Sequence, residues 1–221
     1  MNIDRTMRLR AGLDYVATPH PKSLVVLHHT VGGSAASTFQ YWMHDPRRVA
    51  TAYLVERDGT VFEVFPPGMM AWHLGVKGGD ELERRSIGIE LCSEGGLEVR
   101  NGHAYAFGTR DLGPVAQLGG RIEYHDWRGF KCFDSYDPAQ VDATIALVLD
   151  LCRRFSIPRL MPTPAECRGA GDLRRWYNYR GVLHHALLRP DKPDLHPGFP
   201  WERLFATLSE SEESPTPEGV L

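Results

Sequence analysis

An α/β fold in a single domain is what this sequence predicts, on three observations. Two short apolar runs read as strands: Ser23 to His28 (SLVVLH), whose β-branched composition suits burial on both faces, and Ser86 to Leu91 (SIGIEL), a second compact candidate. Asp137 to Phe155 carries an apolar stripe at helical spacing, so strand-like and helix-like segments interleave. The length, 221 residues with 42% hydrophobic and 24% charged, suits one sizeable core and is short for two.

In chain order, residues 1–22 read as a Pro-punctuated leader and 23–208 as the domain. After the first strand, residues 35–43 (AASTFQYWM) place apolar side chains at helical spacing. Tyr53 to Phe65 reads as two strands joined by a turn at Arg57, Asp58 and Gly59. Gly88, inside SIGIEL, suggests close approach of another backbone. Residues 95–134 are rich in Gly and charge with little periodicity, and read as a long functional loop or insertion. The next helix has Asp137 at its N-cap, Pro138 at its first position, and Arg153 and Arg154 in its last turn, where positive charge suits the dipole. Gly181 to Leu183 leads into a histidine pair, FPWERLFATL (199–208) reads as a closing amphipathic helix, and 209–221 has the acidic, polar composition of disorder.

Composition narrows the partners. Lys and Arg total 25 against 28 Asp and Glu, a formal net charge of −3, which offers no general attraction to nucleic acid or anionic membranes. No apolar run is long enough to span a membrane, and no secretory segment is visible at the start, so cytoplasmic synthesis without membrane insertion is expected. Cys92, Cys132, Cys152 and Cys167 include no CxxC pair and read as free thiols.

The histidines are unevenly placed: His28 and His29 end one strand, and His184, His185 and His196 cluster late. Any one alone reads as a surface or satisfied core residue. Set together, LHHT and HHALLRPDKPDLHPGFPW resemble the amidase family that includes AmpD-type N-acetylmuramoyl-L-alanine amidases, phage lysozymes of the amidase type and animal peptidoglycan recognition proteins. The hairpin YLVERDGTVFEVF, Ala71-Trp72-His73, SIGIEL and YDPAQ extend the resemblance over about Ser23 to Phe205, interrupted by the insertion.

The resemblance implies a central mixed, mostly β-sheet flanked by helices, of the peptidoglycan recognition protein type. It also implies a Zn²⁺ cofactor held by His28, His184 and Asp194. His184 matches because Lys192 lies eight and Asp194 ten residues on, with Phe199 and Trp201 in register beyond. His196 is the rival for Asp194, and His185 the rival for His184. Thr51 stands where some phage members carry a catalytic tyrosine, so the resemblance points instead to Glu90 as the base, with Lys192 stabilising the oxyanion. Trp72, His73 and His29 would line the groove. Two neutral imidazoles, a carboxylate and an open position are ordinary for catalytic zinc, which brings the pKa of water from ~15.7 towards about 7.

The implied activity is hydrolysis of the amide between N-acetylmuramic acid and L-alanine in bacterial peptidoglycan or muropeptides, by a monomer acting as a phage-type endolysin. A cytosolic muropeptide-recycling amidase and a non-catalytic peptidoglycan-binding module are the alternatives.

Overall fold

The computed structural model describes residues 2–210. Strand β1 (Ile3–Asp4) and β2 (Leu24–His29) precede helix α1 (Ala35–His44). The hairpin of β3 (Tyr53–Val55) and β4 (Val61–Glu63) follows, and α2 (Asp80–Arg85) leads into β5 (Ser86–Leu91). Five strands come next: β6 (Gly96–Arg100), β7 (His103–Ala106), β8 (Arg110–Pro114), β9 (Ile122–Trp127) and β10 (Phe130–Asp134), with α3 (Val115–Leu118) between β8 and β9. Then come α4 (Pro138–Phe155), α5 (Pro164–Cys167), α6 (Leu173–Trp176), β11 (Gly181–His184), α7 (His185–Leu188) and α8 (Trp201–Ser209).

The main sheet has the order β1-β4-β3-β5-β2-β11. It is mixed: β11–β2, β2–β5, β5–β3 and β4–β1 are parallel, and the β3–β4 hairpin is antiparallel. Every residue of β2 is buried, because the strand is central and covered on both faces. Val25 and Leu27 pack with Ile87, Ile89, Val182, α4 and α8 on one face. Leu24, Val26 and Leu183 join Leu74, Leu82 and Trp176 on the other. Each such side chain contributes roughly 1.5–3 kcal/mol of burial.

Two expectations need correction. Residues 1–22 are not a leader outside the domain: Ile3 pairs with Val61, Leu9 and Tyr15 are buried, and Tyr15 stacks on Phe65 at 4.9 Å. Residues 95–134 are not a loop either, because β6 to β10 form a second, antiparallel sheet of order β8-β7-β6-β10-β9. Its small core is Leu97, Ala104, Ala106 and Cys132. Two of its hairpins turn on two-residue loops, Asn101-Gly102 and Arg128-Gly129, whose positive φ values suit the right-handed strand twist.

Asp137 does occupy the N-cap of α4, but its carboxylate pairs with Arg57 Nε at 2.7 Å rather than with the helix amides. All four cysteines are buried and free. No described helix is long and apolar enough to cross a membrane. The acidic tail expected over 209–221 lies outside the described residues from 211 onward.

Candidate active site

The parallel register of the main sheet decides which side chains meet. Residues paired across parallel strands share a face, and successive residues alternate. His28 pairs with Glu90, so both point to the Val26–Gly88 face at the carboxyl ends of their strands. On β11 the pairs are Leu183 with Val26 and His184 with Leu27. His184 therefore falls on the opposite face, and the next residue, His185, comes round to that of His28.

The side chains follow. His28 Nδ1 lies 3.2 Å and His185 Nδ1 3.0 Å from Asp194 Oδ2, and all three residues are buried. His184, expected as the second ligand, is fully buried against Trp201, its ring centroid 4.6 Å away. Its Nε2–H donates to the Cys167 carbonyl at 3.0 Å and its Nδ1 accepts the Leu195 amide at 3.2 Å, which holds the ring on the face of the sheet away from His28. Likewise His196 is stacked between Phe133 and Tyr136, at 4.6 and 4.5 Å, away from this cluster.

Hydrogen bonds behind the two imidazoles assign their tautomers. His185 Nε2–H donates to the Leu74 carbonyl at 2.9 Å, leaving the Nδ1 lone pair facing Asp194. His28 Nε2–H donates to His73 Nδ1 at 2.8 Å, and His73 Nε2–H to Ser86 Oγ at 2.8 Å. Ser86 Oγ–H then donates to the Glu83 carbonyl at 3.1 Å, ending the chain. The Glu83 carboxylate accepts the amides of His73, Leu74 and Gly75 at 3.0, 3.0 and 3.1 Å, which holds the supporting loop.

His73 is thus a support for His28 as well as a wall of the cleft. Gly88 makes room for it: a Cβ there would meet Thr51 Cβ at 2.9 Å and His73 Nδ1 at 3.0 Å. The close approach expected at Gly88 is by side chains rather than by backbone.

Electrostatics agree with this assignment. Burial, aided by the neighbouring His185, pushes His28 down to about 4, so its imidazole is neutral at neutral pH. Two lone pairs and a carboxylate oxygen therefore converge with no proton between them, an arrangement that a cation satisfies. Within the described residues His28, His185 and Asp194 offer their ligand atoms within 4.8 Å of one another.

These residues border a cleft of about 580 Å³ that also takes in Glu90, Lys192, Tyr41 and Phe107. Burial, reinforced by the Asp194 charge, raises Glu90 well above the carboxylate range, with Lys192 opposing. Its Oε2 is buried and has no hydrogen-bond partner among the described residues. His29 borders the cleft too, with Nδ1 3.0 Å from the Tyr136 hydroxyl. Trp72 does not border it; its backbone instead joins the Arg48 segment. Tyr41 and Phe107, 57% and 64% exposed, form an aromatic rim that sequence reasoning missed. Phe107 arrives on the insertion sheet, whose approach to the cleft no local pattern announces.

Comparison with known proteins agrees with the geometry. The family model described as N-acetylmuramoyl-L-alanine amidase (Amidase_2) matches residues 18–186. The N-acetylmuramoyl-L-alanine amidase AmiD of Escherichia coli (strain K12) is 25% identical over 148 residues, 65% of this chain and 36% of AmiD. The chain thus spans about a third of that relative's length. Its solved complex with the substrate anhydro-N-acetylmuramic acid-L-Ala-D-gamma-Glu-L-Lys superposes with TM-score 0.55 at 24% identity, over 90% of this chain and 61% of that one. PlyL superposes with TM-score 0.57 at 13% identity, over 95% and 98% of the chains. A mutant endolysin from Bacillus subtilis does so at 0.54 and 16%, over 94% and 98%. With a match that covers most of its length, the chain belongs to the N-acetylmuramoyl-L-alanine amidase family.

Proposed function

We propose that this protein is a zinc-dependent hydrolase that cuts the amide between N-acetylmuramic acid and L-alanine in peptidoglycan. The observation that carries the reading is the convergence of His28 Nδ1, His185 Nδ1 and Asp194 Oδ2 in one cleft with Glu90. Zinc, which those three atoms would hold, would supply Lewis acidity to the scissile carbonyl and to the attacking water.

The chain's own groups do the rest. Glu90 takes a proton from the water as its oxygen bonds to the lactyl carbonyl carbon, then delivers it to the leaving nitrogen of L-alanine as the C–N bond breaks. A carboxyl held above its ordinary range by burial is suited to both halves of that transfer. The Lys192 ammonium offsets negative charge on the carbonyl oxygen. His73 and Glu83 keep the ring of His28 oriented.

The open cleft with its rim of Tyr41 and Phe107 supports a polymeric substrate, and with it the role of a phage-type endolysin, since sugar rings pack on aromatic faces. Turnover of soluble muropeptides is the second reading, favoured by the AmiD complex with an anhydro-muropeptide. The test is incubation of the zinc-loaded protein and its Glu90→Ala variant with purified sacculi, and separately with a soluble anhydro-muropeptide, followed by mass spectrometry. New L-alanine amino termini from sacculi, reduced about 10²- to 10⁴-fold in the variant, are expected. Cleavage of the soluble substrate alone favours recycling. Pelleting with sacculi without any cleavage replaces the enzyme by a binding module.

A further inference from the structure

A second cluster of ligating side chains lies outside the cleft, where the insertion sheet meets the loop after Asp194. Glu123 and His125 are two apart on β9 and so share a face. Trp127 continues that face and docks it on the loop, its Nε1–H donating to the Pro193 carbonyl at 2.9 Å. Opposite stands His196, fully buried. Glu123, His125 and His196 offer ligand atoms within 4.8 Å of one another. From this placement we propose a second divalent-metal site, of the zinc class, that clamps the insertion sheet to the loop carrying Asp194.

Three features support it. His125 Nε2 lies 3.0 Å from Glu123 Oε2, so the two strand residues already converge on one point. The His196 Nε2–H donates to the Asp134 carbonyl at 3.2 Å, the anchoring typical of a metal-bound imidazole, which leaves Nδ1 unprotonated; at present it accepts the Gly198 amide at 3.1 Å. Gly198 keeps the space between the ligands free: a Cβ there would fall onto Glu123 Oε2, 2.8 Å from His125 Nε2 and 2.9 Å from His196 Cε1.

The donor set, two imidazoles and one carboxylate, suits Zn²⁺ by ligand softness. The side chains of Glu123 and His125 are 33% and 30% exposed, which provides an entry path and room for a water as fourth ligand. The ligands come from two units: β9 of the insertion and the loop joining α7 to α8 of the main domain. A metal here therefore ties together parts that the main sheet does not join.

The inference does not depend on the amidase reading, and metal stoichiometry separates the two. The full chain is equilibrated with zinc, freed of loosely held ion, and its metal content counted beside that of four variants. These are His185→Ala, His125→Asn, Glu123→Gln combined with His125→Asn, and Gly198→Ala, each checked for an unchanged circular dichroism spectrum. Wild type holds two equivalents, and each variant one. Gly198→Ala keeps every ligand and tests the site by filling it. A wild type holding one equivalent that only His185→Ala removes overturns the second site. One equivalent lost only in the His125 and Gly198 variants upholds it while removing the first metal from the cleft.

Discussion

At His184 and His185 one step along the chain separates a core residue from a proposed ligand. Both follow the same apolar run, yet the pairing of His184 with Leu27 sends its ring into the core, while His185 reaches Asp194. His185→Ala is therefore expected to lose the cleft metal, measured by metal content, with its fold intact. His184→Asn should keep that metal but lose buried hydrogen bonds and packing worth roughly 2–4 kcal/mol, lowering Tm by about 4–16 °C. Metal loss from His184→Asn with retention in His185→Ala would reverse the assignment.

The difference between the spacing of His184 and its observed placement has a physical source. Spacing to Lys192 and Asp194 is a one-dimensional count, and the face on which a residue lies depends on register with another strand. The face of Glu90 was legible because its own strand carries the alternation that places it, whereas its role as base came from the family resemblance. Its titration offers a further prediction. Burial raises its folded pKa above the unfolded value, so between the two values the folded state binds more protons and stability falls as pH rises. In metal-free protein Glu90→Gln should therefore raise Tm more near pH 8 than near pH 5. A gain that is the same at both, or larger at the acidic end, would contradict the buried-carboxyl account.

Among the elements, β2, β5 and α4 were readable in advance because burial on two faces, or an uninterrupted stripe, leaves a strong pattern. The insertion sheet was not, although Asn101-Gly102 is a hairpin signal of the strongest kind. Its strands are short, its core is built largely from Ala and Cys, and its outward positions are charged, so alternation is faint. The insertion brings Phe107 to the cleft at the β7–β8 turn. Being 64% exposed, Phe107 can be truncated without harm to the fold. Phe107→Ala should leave Tm within about 2 °C of wild type and raise KM for sacculi about 2- to 10-fold at unchanged kcat, the loss of one aromatic contact. An unchanged KM would remove the insertion from substrate binding.

For the molecule as a whole, the main sheet is a rigid frame whose central strands end at the site. Of the three proposed ligands, His28 sits with the proposed base Glu90 at the carboxyl ends of adjacent parallel strands, where register fixes their separation, and His185 directly follows the end of β11. The third, Asp194, comes from the segment after α7 and is tied back by the bond from the Ala186 amide to its carbonyl, at 2.7 Å. Sequence reasoning reached this plan through order and spacing of motifs. It did not see that the first 22 residues complete the sheet edge and core, since Leu9 and Tyr15 are isolated apolar residues among charges.

The most direct measurement of the central claim is zinc add-back. Protein stripped with a chelator is incubated with sacculi, with and without stoichiometric zinc, and released ends are identified by mass spectrometry. The account predicts no cleavage without metal, restored release of L-alanine amino termini with it, and no restoration in His185→Ala. Full cleavage by the stripped protein, or restored release of reducing sugar ends instead, would contradict it.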